Sequence, residues 1–236
     1  MFKKYLLIIL LALASVSYGQ TKYYARSSAA AAGPTGEVST DTDAFPTVPT
    51  SKNTPLDMTT TKGSAQTSVA AVYNTASGSM SMMRMYVGPE LEAQTLTGDA
   101  ANYTFAMGGS ESNGNMNLYP RYFMYVWRSG SGNVKTVVAP VPEATELPTA
   151  ETGRVQTASG EAGDFSILQG DRIVVEQWWE INNTRSTNYT ATGYFEGTTD
   201  PVDGTATSDA ATYFQLPQTL THYTAPSTFT PKVIIY

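Results

Sequence analysis

The sequence predicts an all-β protein: an antiparallel, jelly-roll-like β-sandwich with an irregular Pro-rich N-terminal arm. Three observations carry that prediction. The first is the stretch Leu168 to Ile181, where a polar Gly170-Asp171 turn feeds into Arg172-Ile173-Val174-Val175-Glu176-Gln177-Trp178-Trp179-Glu180-Ile181. Branched and aromatic side chains pack well on a pleated surface, so this run reads as a long strand. The second is a series of short apolar runs separated by Gly, Pro, Asn and Asp at 8–12-residue spacing, the pattern of a sandwich or jelly roll. The third is the lack of helical periodicity and of any internal repeat.

The elements follow in chain order. Residues 1–19 read as a signal peptide. Lys3 and Lys4 give a positive start, Leu6 to Ala14 an uncharged apolar core, and Ser17 and Gly19 the small side chains that place cleavage before Gln20. An apolar stretch of roughly ten residues is short for a bilayer span, which needs about 20. Residues 20–66 form an N-terminal strand, Lys22 to Ser27, and an extended arm, Ser28 to Gln66, in which Pro34, Pro46, Pro49 and Pro55 deny ladder hydrogen bonds. The sandwich domain spans 67–236. Its expected strands are Thr67–Asn74 and Ser79–Val87, joined as a hairpin through Thr75 to Gly78, then Glu90–Thr97 and Asn102–Met107. Tyr119–Arg128 carries bulk on both faces, and Gly130-Ser131-Gly132-Asn133 turns it into Val134–Ala139. After a loop marked by Pro140, Pro142 and Pro148 come Asp164–Leu168, Asp171–Ile181, Tyr189–Glu196, Ala211–Leu216 and Lys232–Tyr236.

Composition narrows the function classes. Lys3 and Lys4 account for two of the 14 basic residues, so the mature chain carries 12 against 20 acidic residues, a net charge of about −8. That balance argues against nucleic acid and anionic membranes, both of which reward clustered cations. There is no cysteine, so packing alone must hold an exported domain together. Only 14% of residues are charged, while Thr, Ser, Gly and Ala abound, as in extracellular β-proteins.

Glu176 and Glu180 share a face of one strand with Cα atoms about 13 Å apart, beyond a glycosidase pair, and read as solvated carboxylates beside Trp178. His222 is the single histidine, no Gly-x-Ser-x-Gly elbow exists, and zinc sites lack ligands. Asp200, Asp203 and Asp209 gather oxygens in one loop and form a candidate Ca²⁺ site, with Asp41 and Asp43 a weaker version. Trp127, Trp178 and Trp179 are candidate glycan-stacking residues. Trp178 and Trp179 are consecutive, so one is expected in the core and the other outside. Asn102, Asn182 and Asn188 begin Asn-x-Ser/Thr triplets.

Several segments resemble a family. Lys22-Tyr23-Tyr24-Ala25-Arg26, Lys62-Gly63-Ser64-Ala65-Gln66-Thr67-Ser68, Tyr125-Val126-Trp127-Arg128, Gly170-Asp171-Arg172-Ile173-Val174-Val175-Glu176 and Tyr194-Phe195-Glu196-Gly197-Thr198-Thr199-Asp200 are similar to structural proteins of tailed phages and related metagenomic genomes. The likeness covers most of residues 22–216 as an ordered series. It implies a β-rich virion or surface protein and no reaction. The signal peptide departs from that family, whose virion proteins assemble in the cytoplasm; a cell-surface layer or extracellular filament reconciles the two.

The sequence therefore leads to the expectation of a secreted, non-enzymatic structural subunit. Its terminal strands, Lys22–Ser27 and Lys232–Tyr236, are expected to join it to copies of itself by β-augmentation. A carbohydrate-binding or adhesion module is the alternative, and a jelly-roll glycosidase the third.

Overall fold

The computed structural model describes residues 19–35, 54–73, 79–98, 102–182 and 187–225. Residues 1–18, which hold most of the expected signal peptide, most of the Pro-rich arm with Asp41 and Asp43, the link at 75–78 and the terminal run Lys232–Tyr236 lie outside them. The described residues contain thirteen strands and no helix. In order they are β1 (Thr21–Ala29), β2 (Leu56–Thr59), β3 (Thr67–Tyr73), β4 (Ser79–Val87), β5 (Gln94–Leu96), β6 (Tyr103–Glu111) and β7 (Leu118–Arg128). After these come β8 (Gly132–Pro142), β9 (Thr152–Ala158), β10 (Phe165–Ile167), β11 (Arg172–Ile181), β12 (Tyr189–Phe195) and β13 (Tyr213–Leu216).

Eleven of these strands form one sheet in the order β3-β12-β6-β13-β1-β2-β4-β11-β7-β8, with β9 on β6; β5 and β10 pair separately. Strands distant in that order face each other across the core. The rings of Phe105 on β6 and Tyr122 on β7 stack at 4.8 Å and 11°, and Tyr86 on β4 meets Phe214 on β13 at 5.4 Å. The sheet therefore closes on itself as a β-sandwich, as the sequence predicts. Burying apolar and aromatic surface between the layers is the main stabilising term in a chain without disulfides.

The strand pairing departs from the sequence-based reading in three places. β3 and β4 are not a hairpin: β3 pairs β12, while β4 pairs β2 and β11. β2 falls within the segment expected to be irregular, and it runs parallel to β4 through Leu56↔Tyr86 and Asp57↔Val87. Pro55 precedes that strand, where its missing N–H costs no ladder bond, and its carbonyl accepts from Ala30 N–H. β9, Thr152–Ala158, has no counterpart in the reading, because a Gly, an Arg and a Gln among its seven residues mask the strand pattern.

A bulge also breaks the simple alternation of faces in β4. Strict alternation puts Met83, Met85 and Val87 together, but the register shifts opposite Gln177 and Trp178. Met83 and Tyr86 then enter the main core, while Met82, Met85 and Val87 face the other side. One extra residue is enough to move every later side chain to the opposite face.

Candidate functional site

β11 sets the environment of the tryptophans. Its odd-numbered residues Ile173, Val175, Trp179 and Ile181 point into the main core, while Val174 and Trp178 join a second cluster on the outer face. That second cluster contains Met82, Met85 and Val87 of β4 and Phe123 and Tyr125 of β7, with Met80, Trp127 and Ala30 packed against it. Trp179 is 0% exposed and Trp178 only 2%. The two indoles do point to opposite faces, yet neither lies outside, because both faces of this part of the sheet are buried. Trp127 is partly exposed and is the one tryptophan of the three with surface to offer a glycan. Asn102 and Asn188 are exposed and Asn182 half-buried.

The same outer face changes the reading of Glu176. Far from being solvated, its carboxylate is 0% exposed and accepts hydrogen bonds from the Tyr125 hydroxyl and from Trp178 Nε1, both at 3.1 Å. A buried carboxylate needs such donors to offset its lost hydration. Burial first, then the Glu176 charge, pushes the Tyr125 phenol far above its usual range. Glu180, on the same face, pairs with Arg121 at 2.6 Å. Each carboxylate is thus committed to a different partner.

The aspartates of the 200–209 loop are also committed separately. Asp200 is bridged by Lys22 at 3.1 Å and Lys62 at 3.0 Å. Partial burial works to raise its carboxyl, but the two ammonium groups hold it below the usual range. Asp203 accepts from Val155 N–H at 3.1 Å, and Asp209 from Thr198 N–H at 3.1 Å and from the Thr198 hydroxyl. Among the described residues, no three acidic or histidine side chains gather in a way that could hold a metal ion. The loop is a set of side-chain caps that fasten it to β1 and β9.

His222 is half-buried and lines a shallow cleft of about 410 Å³ with Asp57, Met58, Thr59, Thr60 and Pro89. Its Nε2 lies 2.9 Å from the Tyr23 hydroxyl, and burial lowers its pKa. Asp57 in the same cleft accepts from the Ser28 hydroxyl at 3.2 Å rather than orienting the imidazole.

The structure also reveals a polar cluster that the sequence reading missed. Glu111 closes β6 and is only 2% exposed. Its Oε2 accepts from Leu118 N–H at 3.1 Å, and its carboxyl hydrogen-bonds with that of Glu146. Glu111 and Glu146 line one cleft of about 320 Å³ with Gly114, Leu147, Pro148 and Thr149. Burial first, then the hydrogen bond and charge of the facing Glu146 carboxyl, pushes Glu111 up to about 8 against the pull of the Leu118 N–H. The two carboxyls are 35 positions apart and belong to no motif, so only the fold reveals the pair.

Fold and site together define an all-β sandwich whose polar clusters sit at strand ends and loops around an aromatic and methionine-rich interior. Comparison with protein-family models gives no match, and comparison with curated proteins gives none either. Among solved structures, the chain is similar to one in the structure of infectious bursal disease virus, Gx strain, with 11% identity and a TM-score of 0.26. The match covers 65% of this chain and 33% of the viral chain, so it spans about a third of the latter's length.

Proposed function

We propose that this chain is a non-enzymatic, exported structural subunit that self-assembles at an extracellular surface as a filament, a surface layer or a virion-like structure. The observation that carries the reading is the uneven protection of the sheet edges. Three strands of the eleven-stranded sheet have one open side: β3, β8 and β9. β8 carries Lys135, Pro140 and Pro142 and pairs with β7 through repeated register shifts. Charges, prolines and bulges of this kind keep an edge from recruiting another strand. β9 is overlaid by the 202–206 loop, through Gly153 N–H to Thr205 O and Val155 N–H to Asp203.

β3 has none of these guards. Thr67-Ser68-Val69-Ala70-Ala71-Val72-Tyr73 contains no charge and no proline, keeps a regular seven-pair register with β12, and leaves Val72 36% exposed. An uncharged, regular edge is a template for β-augmentation. The terminal run Lys232-Val233-Ile234-Ile235-Tyr236, outside the described residues, has the branched apolar composition of a donor strand. In this reading it adds to β3 of a neighbouring copy. The signal peptide and the acidic, hydroxyl-rich composition support an extracellular setting.

The test is light scattering and electron microscopy on the mature chain from Gln20. Rings or filaments are expected, and both Val72→Lys and deletion of residues 232–236 should leave folded monomers. A wild-type chain that stays monomeric at high concentration defeats the assembly reading. Assembly that survives both changes defeats the assignment of the β3 edge.

A further inference from the structure

We propose that Gln20 is a modification site: once signal cleavage makes it the first residue, it closes on itself to a pyroglutamyl lactam that caps strand β1. The inference rests on the export reading, which puts the cut before Gln20, and adds to it the chemical fate of the new chain end.

The place where the fold begins is the first support. Thr21 is buried and opens β1 opposite Leu216. Its N–H donates to Gln218 O at 3.0 Å, and its hydroxyl accepts from Leu220 N–H at 2.7 Å. Gly19 and Gln20, just ahead of these anchors, are exposed. A cut between them leaves every anchor of Thr21 in place and Gln20 as a single solvent-facing residue ahead of the sheet.

The second support is the local geometry of Gln20. Its Oε1 accepts from Gln215 Nε2 at 2.7 Å, and Gln215 stands opposite Lys22 on the neighbouring strand β13. A lactam keeps that carbonyl oxygen as an acceptor and gives up only the side-chain amide nitrogen. A Cβ on Gly19 would fall 2.1 Å from Thr219 Oγ1, so Gly19 sits directly against Thr219. Its removal opens room beside the Gln20 nitrogen, where the ring forms.

The chemistry needs no partner molecule. Within an uncut chain the Gln20 nitrogen is an amide and does not attack. Cleavage turns it into an α-amine, which titrates at about 7.7–8.0 and is partly neutral near pH 7. The neutral nitrogen attacks its own Cδ, an intramolecular step favoured by proximity. The N–Cδ bond forms, the Cδ–Nε2 bond breaks, and Nε2 leaves with its protons as ammonia; nothing is oxidised or reduced. The product has no terminal charge and no free α-amine. β1 lies between β13 and β2 inside the sheet, so stepwise trimming past Gln20 would remove the Thr21 anchors. A lactam denies aminopeptidases the amine they require, which suits a chain held outside the cell without disulfides.

The experiment expresses the full precursor in a secreting host and takes the exported fraction at once for intact mass and Edman sequencing. The expected product is the chain 20–236, lighter by one ammonia in essentially all molecules and closed to Edman degradation. Pyroglutamyl peptidase acting on the denatured chain should then open it, with the reading starting at Thr21. Gln20→Ala should be cut at the same bond, keep its full mass and be read from position 20. A wild-type chain that begins at Gln20 with full mass and a free amine overturns the lactam and leaves the export reading standing. A chain that keeps its leader, or begins at another residue, overturns both. Loss of ammonia that appears only on storage also overturns the proposal, since the exported chain would then carry an open glutamine.

Discussion

Trp179 and Gly193 should behave as one packing unit, and their coupling can be worked from the structure. Trp179 is fully buried, and a Cβ built on Gly193 of β12 would lie 3.1 Å from its Cζ2, 3.6 Å from Met107 Cε and 3.7 Å from Val69 Cγ1. Glycine at 193 thus makes the space the indole occupies. A tryptophan side chain buries about 150–250 Å², worth roughly 4–6 kcal/mol at 25 cal/mol per Å² as an upper bound. Measured Trp-to-Ala costs in cores run about 3–5 kcal/mol. Trp179→Ala is therefore expected to destabilise by about 4 kcal/mol. Gly193→Ala overpacks the same spot and should cost about 1–2 kcal/mol in the wild-type background. With Trp179→Phe the six-membered part of the indole is gone, and the added methyl then fills the space. The double variant should be at least ~1 kcal/mol more stable than the sum of the two single changes predicts. Urea unfolding followed by far-ultraviolet circular dichroism measures this, with the slope against denaturant held constant across the set. Additive costs would refute the claim that the indole and the glycine share one site.

Three further outcomes follow from neighbouring features. Trp178→Ala should lower stability by about 3 kcal/mol or more while Trp127→Ala stays within about 1 kcal/mol, because only Trp127 is partly exposed; equal costs in urea melts would contradict the buried outer face. Gly63→Ala should cost more than about 2 kcal/mol, since a Cβ there would fall 2.0 Å from Glu196 O, a backbone atom that cannot rotate away; an unchanged urea midpoint would contradict that close approach. His222 is held below its ordinary 6.5 by burial, so the unfolded chain takes up the proton first. Its contribution to stability is therefore complete above about pH 6.5 and fades as pH falls below it. His222→Gln should lose less stability than wild type between pH 7 and pH 5, and parallel pH profiles would count against the buried imidazole.

The strands that were legible in the sequence are those whose side chains announce both period and boundary. β4, β7, β11 and β12 agree with expectation to within a residue or so, because branched and aromatic runs end there at Gly, Pro or Asn. The turn from β7 into β8 is equally plain: Gly130 and Gly132 take φ values of 77° and 78°, which other residues rarely adopt. Pairing was not legible. β3 and β4 are neighbours in sequence and look like a hairpin, yet β3 pairs β12 and β4 pairs β11, each about a hundred residues away, while the other side of β4 takes β2. Nothing local encodes that choice; it follows from which faces can be buried together.

The charged residues teach the same lesson more sharply. Glu176 reads as a solvated carboxylate because polar residues on strands usually face water. The prediction fails because β11 is central and both of its faces are covered, which sequence alternation alone cannot report when Trp178 and Trp179 stand side by side. The Asp200, Asp203 and Asp209 loop reads as a cation site because its oxygens are close in sequence. In space, Lys22 and Lys62 neutralise one aspartate and backbone N–H groups take the others. Glu111 and Glu146 reverse the case: remote in sequence, they meet in the fold and hydrogen-bond to each other. Proximity along the chain selects residues that make turns. Pairs such as Glu111 and Glu146 are instead brought together by the fold, and no spacing along the chain reports them.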